Sequence, residues 1–189
     1  MDFINAIILL SNFVIVPSIT YGSQLALGAI GVTLIYGVLR FANFAYGDLM
    51  AFGTMCVILF TWLLKSWGIS LGILPTALLA LPFGIVLTIG VSLFFDRTVF
   101  EYYRNKKSSP VTFIVVSLGI MFVLNAVVRI IIGPNDIVFM DGARFIISAV
   151  EFREITGLLE GLTIKSTQVI TIITTSITCY LLFNFLNKT

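Results

Sequence analysis

The stretch Arg40–Asp48, reading RFANFAYGD, holds the densest set of side chains able to do chemistry in an otherwise apolar sequence. Arg40, Asn43 and Asp48 lie between or inside long apolar runs. An ionisable group in such a setting is costly, so it faces a cavity or another polar group. On one straight helix, residues eight apart are separated by about 12 Å of rise, too far for Arg40 to touch Asp48. A break near Gly47 would bring them together, or each would find a partner on another helix. The plainer reading is a surface turn from which Arg40 reaches lipid headgroups, and both stay open on the residues alone. Asn125 and Arg129 stand one helical turn apart, and snorkelling to the membrane surface accounts for Arg129. Other chemistry is poorly provided for. The sequence has no histidine, so a His-based metal site or general base is excluded. The stretch GLLEGLTIKS at 157–166 has glycines, a lysine and a serine, but not the spacing of a phosphate-binding loop. Cys56 and Cys179 fall in apolar runs and read as small buried hydrophobes. No catalytic, cofactor or metal site is expected, and nothing clusters as an enzyme's acid–base or nucleophilic set would.

The elements that position these residues follow from composition. Of 189 residues, 59% are apolar and only 11% charged, and mean hydropathy is +1.10. A soluble domain of this size needs more polar residues to cover its surface. A soluble enzyme, a nucleic-acid binder and a disordered tail are thereby excluded, and a net charge of +2 gives no reason to invoke nucleic acid. Charges gather in 96–107 and 136–165, leaving uncharged runs over 3–39, 49–64, 66–95, 108–128 and 166–187. A bilayer span needs about 20 mostly apolar residues, so the alternation reads as a multi-span helical protein. A transmembrane β-barrel would show short alternating segments, and none appear.

We expect an all-α integral membrane protein, a single polytopic transmembrane domain over 1–189 with five to six transmembrane helices. Pro17, Ser18, Thr20 and Gly22 predict a break in the first run. That leaves 1–19 as a short apolar helix, interfacial, re-entrant or a marginal span, followed by spans at 21–39, 43–64, 69–95, 110–132 and 168–186. The segment 96–107 carries Arg97, Arg104, Lys106 and Lys107, so the positive-inside rule makes it cytoplasmic. The segment 133–167, where acids outnumber bases, is then external. Small residues recur at four-residue spacing in Ala29–Thr33–Gly37, in Ala80–Gly84–Thr88–Ser92 and in Thr171–Thr175–Cys179. Close helix packing is the ordinary use of such ribbons, and a polar lining for a solute path is the alternative.

The residues 21–55, YGSQLALGAIGVTLIYGVLRFANFAYGDLMAFGTM, strongly resemble the start of the permeases of branched-chain amino acid ABC transporters. Members carry T-x-x-Y-G and then N-F-A-H-G-[ED]. Here these positions are Thr33, Tyr36 and Gly37, then Asn43, Phe44, Ala45, Tyr46, Gly47 and Asp48. Tyr46 stands in place of the usual histidine, so no role of an imidazole carries over. Asp96–Arg104 resembles the family's E-R-x-x-[YF]-[RP]-x-x-R region, and Ser117–Gly119 with Asn125 resembles its I-x-T-x-G-x-x-x-x-L-x-N span.

The resemblance implies part of an ABC importer permease fold in a bacterial plasma (inner) membrane. It implies ATP-driven uptake of leucine, isoleucine, valine or related solutes. Thr33, Tyr36, Gly37, Arg40, Asn43, Phe44, Gly47, Asp48 and Asn125 would be family motif and translocation-path residues. The implied partners are a homologous second permease subunit, two ATPase subunits that hydrolyse ATP, an extracytoplasmic substrate-binding protein and the lipid bilayer. Urea and short-amide permeases share much of the motif, and a passive channel for a small neutral solute suits the polar ribbons as well. Family members continue beyond such a span into a basic coupling loop and further helices. The sequence is therefore expected to be the first part of a permease: a truncated gene, a split subunit or a fragment.

Overall fold

The computed structural model describes residues 2–69, 75–135, 139 and 145–188. Its elements are α1 (Asp2–Leu10), a π-helical turn (Ser11–Ile15), α2 (Val16–Leu39), α3 (Ala45–Ser66), α4 (Ala77–Phe95), a second π-helical turn (Asp96–Phe100), α5 (Glu101–Asn105), α6 (Pro110–Ile132), β1 (Phe145–Ile147), α7 (Ala149–Thr156), β2 (Ile164–Lys165) and α8 (Ser166–Lys188). Among the described residues, five helical runs are long and apolar enough to cross a membrane: Phe3–Leu39, Ala45–Ser66, Ala77–Asn105, Pro110–Ile132 and Ser166–Lys188. Large apolar side chains such as Ile130 and Val38 are about four-fifths exposed, at 81% and 79%. Such surface is tolerable in hydrocarbon and an aggregation hazard in water. The protein is an all-α polytopic membrane protein.

The break expected after Val16 is absent, and the backbone stays helical from Asp2 to Leu39. The interruption is taken up inside the helix. Val16 N–H donates to Ser11 O, five residues back, closing a widened turn. Pro17 lacks an N–H, and its ring would crowd the carbonyl of Phe13 in a regular helix. The π turn sits directly before it and relieves both problems. The polar residues that suggested a loop fold back on their own helix. Thr20 Oγ1 donates to Val16 O at 2.9 Å and Ser23 Oγ to Thr20 O at 2.7 Å. In an apolar medium an unbroken helix is the least costly way to satisfy these groups.

Two of the segments between spans also have structure of their own. Residues 96–105 continue α4 as helix through Asn105. The region 133–167 holds the antiparallel pair β1–β2, with Phe145 opposite Lys165 and Ile147 opposite Ile164. It also holds α7, opened by a capping box in which Ser148 and Glu151 satisfy each other's backbone N–H. Such reciprocal caps fix a helix start.

The chain divides into two compact units, 1–31 with 73–75 and 142–189, and 32–72 with 76–141. In the first unit, Asn12 Nδ2 donates to Gly161 O at 2.8 Å, and Thr163 N–H donates to Asn12 Oδ1 at 2.9 Å. One amide side chain thus ties the N-terminal helix to the strand-bearing segment. In the second unit, α3 crosses α4 at glycines. A Cβ on Gly84 would strike the Val57 side chain and come within 3.3 Å of Gly53 O, and one on Gly53 would lie 2.7 Å from Thr88 Oγ1. Ala80 on the same ribbon is fully buried. The 80–84–88 ribbon therefore serves close helix packing. The unit's core is Phe41, Ala45, Phe100, Ile120 and Leu124.

Candidate functional site

The turn between α2 and α3 is built by three local devices. The first is its entry. Arg40 adopts φ +60° and its N–H donates to Tyr36 O at 2.9 Å, ending α2 in the left-handed manner that glycine usually provides. The second is Asn43, whose Oδ1 accepts from Ala45 N–H at 3.1 Å. That bond satisfies one of the free donors at the start of α3. The third is an anchor from another helix. Phe44 N–H donates to Ser117 Oγ at 3.2 Å, and Ser117 Oγ–H donates to Ile114 O at 2.8 Å. Ser117 is fully buried, so the bond holds the turn against α6. Phe41 drives the same attachment. Its ring lies 5.1 Å from Phe113 and 5.8 Å from Phe100, centroid to centroid.

Beside this turn is a cavity of about 370 Å³, lined by Tyr36, Asn43, Phe44, Tyr46 and Gly47 among others. That lies near the lower end of the roughly 300–1,000 Å³ of small-molecule sites. Four of the nine motif residues thus share one cavity. Thr33 and Gly37 lie on α2 but do not line it. Around the Cβ position of Gly37 there is open space within the described residues.

One turn into α3 the arrangement becomes ionic. Asn125 Nδ2 donates to Asp48 Oδ1 at 2.9 Å, and Arg129 Nε donates to Asn125 Oδ1 at 2.9 Å. The amide of Asn125 bridges a carboxylate on α3 and a guanidinium on α6. Asp48 is half-buried, while Asn125 and Arg129 are exposed on the surface of their unit. The contact suggested between Arg40 and Asp48 does not form. Among the described residues Arg40 makes no ion pair, and Asp48 is reached by Asn125 instead.

Three residues of this site stand outside the sequence-derived set. Arg129 reads as a snorkelling cation, yet its spacing of four from Asn125 is what lets the two side chains meet on one helix face. Ser117 sits in the motif-like stretch of α6 without any sign that it holds the α2–α3 turn. Tyr46, noted only as a departure from histidine, lines the cavity. No group of three or more potential metal-ligating residues occurs among the described residues.

Comparison with known proteins adds to this geometry. The family described as "Branched-chain amino acid transport system / permease component" matches residues 14–189. The high-affinity branched-chain amino acid transport system permease protein LivH of Escherichia coli K12 is 29% identical over 121 residues, covering 63% of this chain and 38% of that protein. Its counterpart in Escherichia coli O157:H7 matches equally. The matched stretch thus spans well under half of these relatives. No solved structure matches.

Proposed function

This chain belongs to the branched-chain amino acid transport system permease family, and from that premise we propose that it forms part of the membrane-spanning path of an ATP-driven importer. Its solutes are leucine, isoleucine, valine or close relatives. It resides in a bacterial plasma membrane with 96–107 in the cytoplasm and 133–167 outside. A homologous second permease subunit completes the path, two ATPase subunits supply the energy, and a soluble binding protein delivers solute from outside.

The observation that carries this reading is the Asp48–Asn125–Arg129 relay. Charged groups on membrane helices mark solute paths or partner contacts, because hydrocarbon does not solvate them. Here both signs of charge are held on one face of a helix pair. That combination complements a zwitterion, whose ammonium suits Asp48 and whose carboxylate suits Arg129. Asp48 directly follows Gly47, which lines the 370 Å³ cavity. The cavity's mostly apolar side chains suit a branched aliphatic group. Urea and short amides are neutral and have no use for such a pair.

The test is reconstitution of this sequence within a full-length permease, together with the ATPase, the sister permease and the binding protein, in proteoliposomes. ATP-dependent leucine uptake is expected, competed by isoleucine and valine and not by acetamide or urea. Uptake that persists without ATP would make the protein a passive channel. Competition by the amides would assign it their class of solute.

A further inference from the structure

Arg40 presents an unusual combination. It occupies a left-handed backbone position, φ +60°, which glycine reaches without steric cost and side-chain-bearing residues adopt rarely. An arginine held in such a position invites a question about its side chain. Among the described residues that guanidinium has no hydrogen-bond or ion-pair partner. It borders a cavity of about 270 Å³ walled by Phe41, Phe100, Phe113 and Pro110, with Arg104 at the same rim. The three phenyl rings form one cluster, with centroids 5.1–6.4 Å apart. Arg104 is engaged with Asp96 by two hydrogen bonds of 2.9 and 2.8 Å, which leaves further N–H donors free.

We propose that this cavity seats an anionic phospholipid, its phosphate on Arg40 and Arg104 and its glycerol and first methylenes against the phenyl rings. The cavity is too small for a whole lipid and suits the junction between headgroup and chain. Three observations favour this occupant. The protein lies in a bilayer, so phospholipid surrounds the site. The walls are apolar, and a free aqueous anion would gain nothing from them. The rim is cationic, with no carboxylate paired to Arg40 among the described residues, and basic pockets between membrane helices bind acidic headgroups on those terms. The proposal does not depend on the transport reading, because it concerns neither the relay nor the solute.

The test is native mass spectrometry of the 189-residue chain released from micelles holding equal amounts of phosphatidylglycerol and phosphatidylcholine. The wild-type chain is expected to retain one phosphatidylglycerol in preference by about five-fold, the contribution of one cation near the membrane surface. Arg40→Gly removes the cation while suiting the backbone, so its helicity and melting temperature should equal or exceed wild type while the preference is lost. Arg40→Gln keeps the backbone demand and much of the side-chain length and should lose the preference equally. A folded form of either variant that keeps the wild-type preference overturns the proposal. So does a wild-type chain that retains both lipids alike. Displacement of the lipid by inorganic phosphate would also overturn it, by showing a simple anion site.

Discussion

The relay makes a graded prediction, because each of its two hydrogen bonds has a defined direction. Asp48 accepts from Asn125, and Asn125 accepts from Arg129. Asn125→Asp removes the donor to Asp48 and sets two carboxylates at hydrogen-bonding distance. At 2.9 Å and an effective dielectric near 20, two full charges would repel by roughly 6 kcal/mol. That is an upper bound, because the Arg129 guanidinium beside the pair offsets part of the repulsion. Asp48→Asn is milder. Its amide oxygen still accepts from Asn125 Nδ2, so it exchanges a charge-assisted bond for a neutral one, a loss of about 1 kcal/mol. The double exchange, Asp48→Asn with Asn125→Asp, restores both hydrogen bonds. The carboxylate, moved to α6, then accepts from both the amide introduced at position 48 and Arg129, and one negative charge remains. Thermal stability in detergent should therefore rank wild type and the exchange together, Asp48→Asn below them and Asn125→Asp lowest. With the exchange equal to wild type, Asp48→Asn lower by about 1 kcal/mol and Asn125→Asp lower still, the double-mutant cycle should couple the two sites by more than about 2 kcal/mol. Additive effects, with the exchange as impaired as the sum of its parts, would refute the contact itself.

Two further outcomes test other parts of the structure. With Cys56 and Cys179 replaced, an impermeant maleimide added to intact cells should label a cysteine placed at Glu154 and spare one at Asn105, and the opposite pattern would invert the proposed orientation. Gly84→Val forces a side chain into Val57 and the Gly53 carbonyl, an overpacking that costs typically about 1–3 kcal/mol; the thermal unfolding temperature in detergent should fall accordingly, while Gly90→Ala, with open space around its Cβ position among the described residues, should leave it equal or slightly higher.

Much of this protein is legible in one dimension. Residence in the bilayer follows from the 59% apolar and 11% charged composition, because hydrocarbon and water demand opposite surfaces. Helices follow from run length, since a spanning segment must satisfy its backbone internally. The packing use of Ala80, Gly84 and Thr88 follows from residue size and spacing. Even so, Pro17 marks a helix break by every local rule, and the helix continues through it. The decision lay in the π turn just before it, which the proline itself does not encode. The pair Asp96 and Arg104 makes the same point. Eight residues apart, they would stand too far round a regular helix, yet the second π turn adds a residue and returns them to one face.

What the tertiary structure alone decided is which distant groups meet. Asp48 and Asn125 are 77 residues apart, and their meeting depends on the rotation and axial offset of α3 against α6. Those two quantities are set by contacts that no local pattern reports. Phe41 lodges among Phe100 and Phe113, and Ser117 holds the backbone of Phe44. A shift of one residue along α6 would turn Asn125 about 100° away from Asp48 and end the relay. Sequence determined that polar groups would sit on these helices, because their cost in lipid is a property of each residue. It left open which would pair, because pairing is a property of how the helices are packed.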